Sequence, residues 1–299
     1  MMTASLPLQG NPYDLNDDQA YRIWRDDKME QCPSRAEDLI VEIKDPYNLS
    51  KAEFNALKTR CQSSNMAIYV SNSGSNPDKS IPSTLAREFG LTELDNNMGA
   101  DNDGITSLKV AYDPWHKRYI PYTNRPIHWH TDGYYNPVEK QINALMLHCV
   151  SPAAMGGENA LLDHELAYIH LRDLNPDYIE ALMSPQAMSI PANIKNNEVI
   201  RPVRNGPVFS VRTDGKLHMR YTARKRNVDW NKDATTREAV NALNNFLASD
   251  SPHIFRLTLQ PGQGLICNNV LHDRSGFNND EKYTRLLYRL RFYQRIAGS

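Results

Sequence analysis

IHWHTDGYY at 127–135 and GLICNNVLHDRSGF at 264–277 decide how this chain is read. In the first, His130 and Asp132 stand two positions apart. Side chains alternate along a strand with period two, so both project from one face. In the second, His272 follows the strand-like run GLICNN. It lies 142 positions beyond His130 (272 − 130), so it can join the first pair only from another strand of the same cavity. Short strand-like runs recur at 107–111, 127–132, 144–150, 160–163, 208–211, 218–222, 254–259, 264–268 and 286–293, with Gly, Asn and Pro between them. That pattern predicts a β-sandwich or jelly roll. Helical stretches at 164–174 and 234–248 would pack outside it.

The stretch 1–45 is polar and mixed, with a weak helical pattern over 17–29, and reads as an N-terminal extension. Residues 46–299 read as a single domain. A helix is predicted over 50–63, where Ser50 and Glu53 have capping-box spacing and Ala56, Leu57 and Cys61 mark the apolar side. MAIYVS at 66–71 reads as a buried strand, and a short helix follows at 83–88. Residues 74–106 are rich in Ser, Asn, Asp and Gly and form a surface region.

The 299 residues carry a formal net charge of −1, so no bulk attraction to nucleic acid or anionic lipid is expected. Mean hydropathy is −0.62, and no apolar run approaches the roughly 20 residues of a membrane span. The N-terminal MMTASLPLQGNPYDL lacks the basic and apolar regions of a secretory signal. Cys32, Cys61, Cys149 and Cys267 are scattered, without CxxC, as in a reducing compartment. The expected setting is cytoplasmic and the expected partner a small charged molecule. A homo-oligomer is left open.

Two imidazoles and one carboxylate are the ligand set of the facial triad, which holds Fe(II) and leaves its other positions open. Arg285 follows His272 by 13 residues (285 − 272), a fixed cation suited to a dicarboxylic co-substrate. Two other readings compete. His128, His130 and Asp132 also spell HxHxD, as in zinc hydrolases, and a metal-binding jelly roll need not be catalytic. His148 in LMLHCV reads as a packed core histidine.

YTNRPIHWHTDGYYNP (122–137), LMLHCV (145–150), GGENALLD (156–163), PGQGLICNNVLHDRSGF (261–277) and YTRLLYRLRFY (283–293) together resemble the taurine dioxygenase-like family. The form of these motifs is nearest the γ-butyrobetaine hydroxylase branch of that superfamily. The resemblance implies a double-stranded β-helix, with a cupin-like jelly-roll core, using Fe(II), 2-oxoglutarate and O2. It implies His130, Asp132 and His272 as iron ligands, and Arg285 on the distal carboxylate of 2-oxoglutarate. Asn159 stands where many relatives have a threonine touching the same carboxylate. The implied reaction decarboxylates 2-oxoglutarate to succinate and CO2 and hydroxylates or desaturates a small polar metabolite. Asp132 favours this over halogenation, since related halogenases lack the carboxylate.

Trp115, Tyr119, Tyr122, Trp129, Tyr134 and Tyr135 crowd the approach to the metal motif, an aromatic set that could cage a cation. Arg289, four residues beyond Arg285, would share its strand face and suits an anionic substrate group instead. Tyr122, Trp129, Tyr134, Arg224 and Arg289 are the expected substrate residues. Arg226 belongs to the same basic segment as Arg224.

Overall fold

The computed structural model describes residues 10–97 and 99–299. Two sheets carry the site. The larger has six strands in the order Ile40–Ile43, Met66–Ser71, Gln263–Cys267, Ala144–Ser151, Leu286–Phe292 and Thr106–Leu108. The smaller has four, in the order Phe255–Leu257, Asn159–Leu162, Leu271–Arg274 and Ile127–His130. All pairings are antiparallel except Ile40–Ile43 with Met66–Ser71. Together the sheets make the expected double-stranded β-helix.

Strand Ala144–Ser151 shows why the apolar runs look continuous. Leu145, Leu147 and Cys149 point into the core between the sheets, with Leu161, Phe255, Val270 and Leu287. Ala144, Met146 and Val150 point the other way, into a second core with Leu57, Ile81, Leu85 and Phe89. Those four belong to or adjoin α2 (Lys51–Ser64) and α3 (Ser80–Glu88). A strand buried on both faces has no polar side to show. His148 lies fully buried in this strand, its Nδ1 2.8 Å from the Tyr69 hydroxyl. It is a core histidine, as read.

The capping box of α2 is present: Ser50 Oγ accepts from Glu53 N–H, and the Glu53 carboxylate accepts from Ser50 N–H. The outer helices α4 (His164–Leu174), α5 (Pro176–Met183) and α6 (Ala234–Leu247) enclose a third core containing Tyr168, Leu171, Ile179, Phe209 and Leu243.

Within the stretch read as an extension, residues 1–9 lie outside the described residues, as does the start of the segment judged for a signal. The remainder is built into the fold. Helix α1 (Asp18–Gln31) buries Tyr21 in the third core, and Ile40–Ile43 forms an edge strand of the large sheet. Lys28 of α1 is buried against Asp163 at 2.6 Å and Glu165 at 2.5 Å. The polar appearance of this stretch reflects that paired charge and one-sided burial.

Candidate metal and co-substrate site

Strands Ile127–His130 and Leu271–Arg274 are neighbours, and their register sets His130 opposite His272. The two rings lie 4.2 Å apart, centroid to centroid. Asp132, just past the end of its strand, brings Oδ1 to 3.7 Å from His130 Nε2. One donor atom from each of His130, Asp132 and His272 lies within 4.8 Å of the others, the one such cluster among the described residues.

Both imidazoles are held in the same tautomer. His130 Nδ1 donates to His128 C=O and His272 Nδ1 to Val270 C=O, each at 2.9 Å. A carbonyl only accepts, so the proton sits on Nδ1 and Nε2 keeps its lone pair for a metal. Burial, reinforced by the nearby His272, pushes the His130 pKa down to about 3, which keeps that ring neutral. Burial acts to raise the Asp132 carboxyl. Arg289 and then Arg291 outweigh it and hold Asp132 below the ordinary carboxylate range. Asp132 Oδ2 is buried without a hydrogen-bond partner. Two imidazoles that present Nε2 and an ionised carboxylate with a spare oxygen suit Fe(II).

His128 is exposed and outside this cluster. The HxHxD reading therefore does not assemble, and the hydrolase alternative loses its geometry.

Strand Leu286–Phe292 places Arg289 and Arg291 on one face beside Asp132. Arg289 NH1 is 3.3 Å from Asp132 Oδ1 and Arg291 NH1 is 4.0 Å away. Arg291 was not singled out from sequence. It also ion-pairs with Asp95 and donates to the Tyr135 hydroxyl at 3.0 Å. Its odd-numbered spacing after Arg285 and Arg289 was the available signal.

Arg285 is 4% exposed, and its NH1 has no hydrogen-bond partner. Burial lowers its pKa to about 10. Asn159 and Arg285 line one small cavity with Gly157, Thr258 and Leu287. Asn159 Nδ2 donates to Asp273 C=O at 2.8 Å, which leaves one amide hydrogen for a ligand. Asp273 is accounted for as well: its Oδ1 accepts from Ala160 N–H at 2.9 Å, at the bulge where strand 271–274 breaks register. Arg274, also missed, is buried, and it and Arg285 lie over the same Phe277 ring at 4.8 and 5.2 Å.

The aromatic residues do not form a single cage. Trp115, Tyr119 and Tyr122 cluster around His116. Tyr122 is buried and donates to Gly99 C=O. Alternation sends Trp129 away from His130, against the third core, and Tyr134 is buried in that same core. Arg224 remains partly exposed, its N–H bonded to Thr222 Oγ1 at 3.3 Å, and Thr222 bridges to His130.

The chain is 33% identical over 167 residues to a uridine-5'-phosphate dioxygenase of an Amycolatopsis species, covering 54% of this chain and 58% of that protein. It is 31% identical over 213 residues to a uridine-5'-phosphate dioxygenase of a Streptomyces species, covering 69% and 76%. Its fold is similar to the non-heme iron oxygenase OrfP in complex with Fe, succinate and (3S)-hydroxy-L-Arg, with TM-score 0.59, 16% identity and coverage of 82% and 81%. The model of the taurine catabolism dioxygenase TauD, TfdA family matches residues 31–291. With that match over most of its length, the chain belongs to the TauD, TfdA family of Fe(II)- and 2-oxoglutarate-dependent dioxygenases.

Proposed function

We propose that this chain oxidises a small anionic metabolite, and that a nucleoside 5'-phosphate is the first candidate. The observation that carries the reading is the pair Arg289 and Arg291 on one strand face beside Asp132 of the cluster, with Arg285 just before that strand in the cavity it shares with Asn159. In this reading the three residues hold Fe(II), which with 2-oxoglutarate and O2 supplies the oxidising chemistry and releases succinate and CO2. Arg285 grips the distal carboxylate, where its planar fork can act bidentately in a dry setting. Asn159 adds its free amide hydrogen. Arg289, with an unpartnered Nε, meets the anionic group of the substrate. Tyr122 and Arg224 border the approach. The two relatives named for uridine-5'-phosphate support the nucleotide class.

Cytoplasmic residence is part of the same reading, resting on four unpaired thiols. Among the described residues no helix is long and apolar enough to cross a membrane.

Succinate formation with Fe(II), ascorbate, 2-oxoglutarate and air tests the proposal. Uridine 5'-phosphate should raise it well above the substrate-free rate, and Arg289→Ala should raise KM for the nucleotide more than KM for 2-oxoglutarate. Stimulation by L-arginine, with none by any nucleotide, would overturn the nucleotide class and move the substrate to amino acids. Equal turnover of uridine and its 5'-phosphate would remove the anionic group from the argument.

A further inference from the structure

Asn269 is 3% exposed and adopts a left-handed backbone, φ 50°. Asparagine and glycine tolerate that region far better than branched residues do. The residue stands three positions before His272, yet its side chain serves another ligand. Asp132 N–H donates to Asn269 Oδ1 at 2.8 Å, and Asn269 Nδ2 donates to Asp132 C=O at 2.9 Å. The other amide hydrogen goes to Ile142 C=O at 2.7 Å. This double exchange copies the hydrogen-bonded pair of an antiparallel ladder. It occurs where the ladder has run out, since strand Ile127–His130 ends two residues before Asp132.

The peptide around Asp132 is pinned on both sides. Thr131 N–H donates to Tyr221 C=O at 3.0 Å, and Thr131 Oγ1 accepts from Tyr221 N–H at 3.1 Å. Gly133 follows with φ 68°, and a Cβ there would come within 2.4 Å of Ile142 Cγ1. The turn that carries Asn269 also presents Val270 C=O to His272 Nδ1. One turn therefore orients two of the three donors.

We propose that Asn269 is a positioning residue of the metal centre: its amide holds the Asp132 main chain so that the carboxylate stands beside the two imidazoles before a metal arrives. The proposal rests on the assignment of His130, Asp132 and His272 as ligands. A residue serving only the turn would affect folding stability and leave the metal's affinity and coordination alone.

Co(II), a redox-stable probe with a visible d–d spectrum, separates the two roles. Asn269→Gly keeps the left-handed backbone and deletes the amide. Asn269→Asp keeps the acceptor for Asp132 N–H and loses the donors. Folding is checked by circular dichroism and melting of the metal-free proteins. Asn269→Gly should weaken Co(II) by about 10–100-fold, the usual cost of losing a group that orients a ligand, and should alter the d–d band. Asn269→Asp should fall between it and the unmodified protein. Co(II) affinity and spectrum unchanged in both variants, whatever their melting temperatures, would overturn the proposal. If Asn269→Gly does not fold, Asn269→Asp decides by the same two readouts. Failure of both to fold even with Co(II) would assign Asn269 to the fold and refute the positioning role. Co(II) binding that survives His130→Ala would instead refute the ligand assignment itself, and the proposal with it.

Discussion

Arg285→Met should move co-substrate affinity and metal-free stability in opposite directions. The guanidinium is 4% exposed and one of its nitrogens has no partner. Burial lowers its pKa from 12.5 to about 10. At about 1.4 kcal/mol per pH unit, that shift corresponds to an unfavourable term of about 3 kcal/mol in the protein without ligand. Methionine keeps an apolar, flexible stem and removes the charge. The contact of Arg285 over the Phe277 ring, 5.2 Å to the centroid, is lost at a cost of about 0.5–2 kcal/mol. The net gain is about 1–3 kcal/mol. Unfolding entropy near 2.1 cal/mol/K per residue, over this length, turns that into a melting temperature higher by about 2–5 °C. Affinity for 2-oxoglutarate should change the other way. Truncating one side of a buried charge pair costs about 2–5 kcal/mol, or about 30- to 4,000-fold in Kd. Thermal melting of metal-free protein gives the first quantity. Anaerobic titration of the Fe(II) protein with 2-oxoglutarate, followed by its visible charge-transfer band, gives the second. A melting temperature lowered by several degrees with unchanged 2-oxoglutarate affinity would refute the reasoning and make Arg285 a structural cation.

Two further outcomes follow from the site and from the buried histidines. His128→Ala should leave Co(II) affinity within about twofold, while His272→Ala should lower it by well over tenfold, because His128 is exposed and outside the cluster; equal losses would restore the HxHxD reading. Metal-free stability should also fall on acidification. His130, His148 and His218 have pKa values lowered by burial to about 3, 4 and 3, so the fold holds them neutral while the unfolded chain takes up protons below about pH 6.5. Their stabilising contribution is complete above that pH and declines between about 6.5 and 4, by up to about 1.4 kcal/mol per pH unit for each. Urea midpoints should be level from pH 8 to 7 and drop steeply from 6 to 4.5, and a flat profile over that lower range would refute neutral buried imidazoles.

What was legible in the sequence had a local cause. The capping box of α2 needs only Ser50 and Glu53, and both bonds form. Strands Ala144–Ser151 and Leu286–Phe292 are long apolar runs broken by few polar residues, and both were located. The candidate metal cluster was legible because two of its members share a strand period and the third follows a strong strand. Elements whose reason is tertiary were missed. His272 was placed after a strand, but it lies within Leu271–Arg274, a four-residue strand defined by its two neighbours. Ile40–Ile43 is short and charged on one side, and only its pairing with Met66–Ser71 makes it a strand. Helix α5 begins at Pro176, two residues after α4 ends at Leu174, and the sequence reading of a helix stopped at 174. Asn269 carried no chemistry as a sequence letter. Its role comes from where its amide points.

The distribution of charge gives these separate residues a common logic. A chain with net charge −1 keeps Arg274, Arg285 and Arg291 buried, and Arg289 largely so. Each has at least one guanidinium nitrogen that is buried and unbonded. Buried donors without partners are unfavourable, and a fold gains nothing from four of them on stability grounds alone. Among the described residues, Asp95 and Asp132 are the carboxylates paired with this set, through Arg289 and Arg291, and Asp132 also belongs to the candidate metal cluster. Arg289 and a metal ion are thus alternative counter-charges for one carboxylate. Without the ion, Arg289 keeps Asp132 ionised and ready. A metal held by Asp132 would meet the carboxylate's charge and, under the proposed function, would leave the Arg289 guanidinium to an anionic substrate group. Under the proposed function, a metal, the 2-oxoglutarate carboxylate and an anionic substrate group would supply the counter-charges that Arg285, Arg289 and Arg291 lack within the protein.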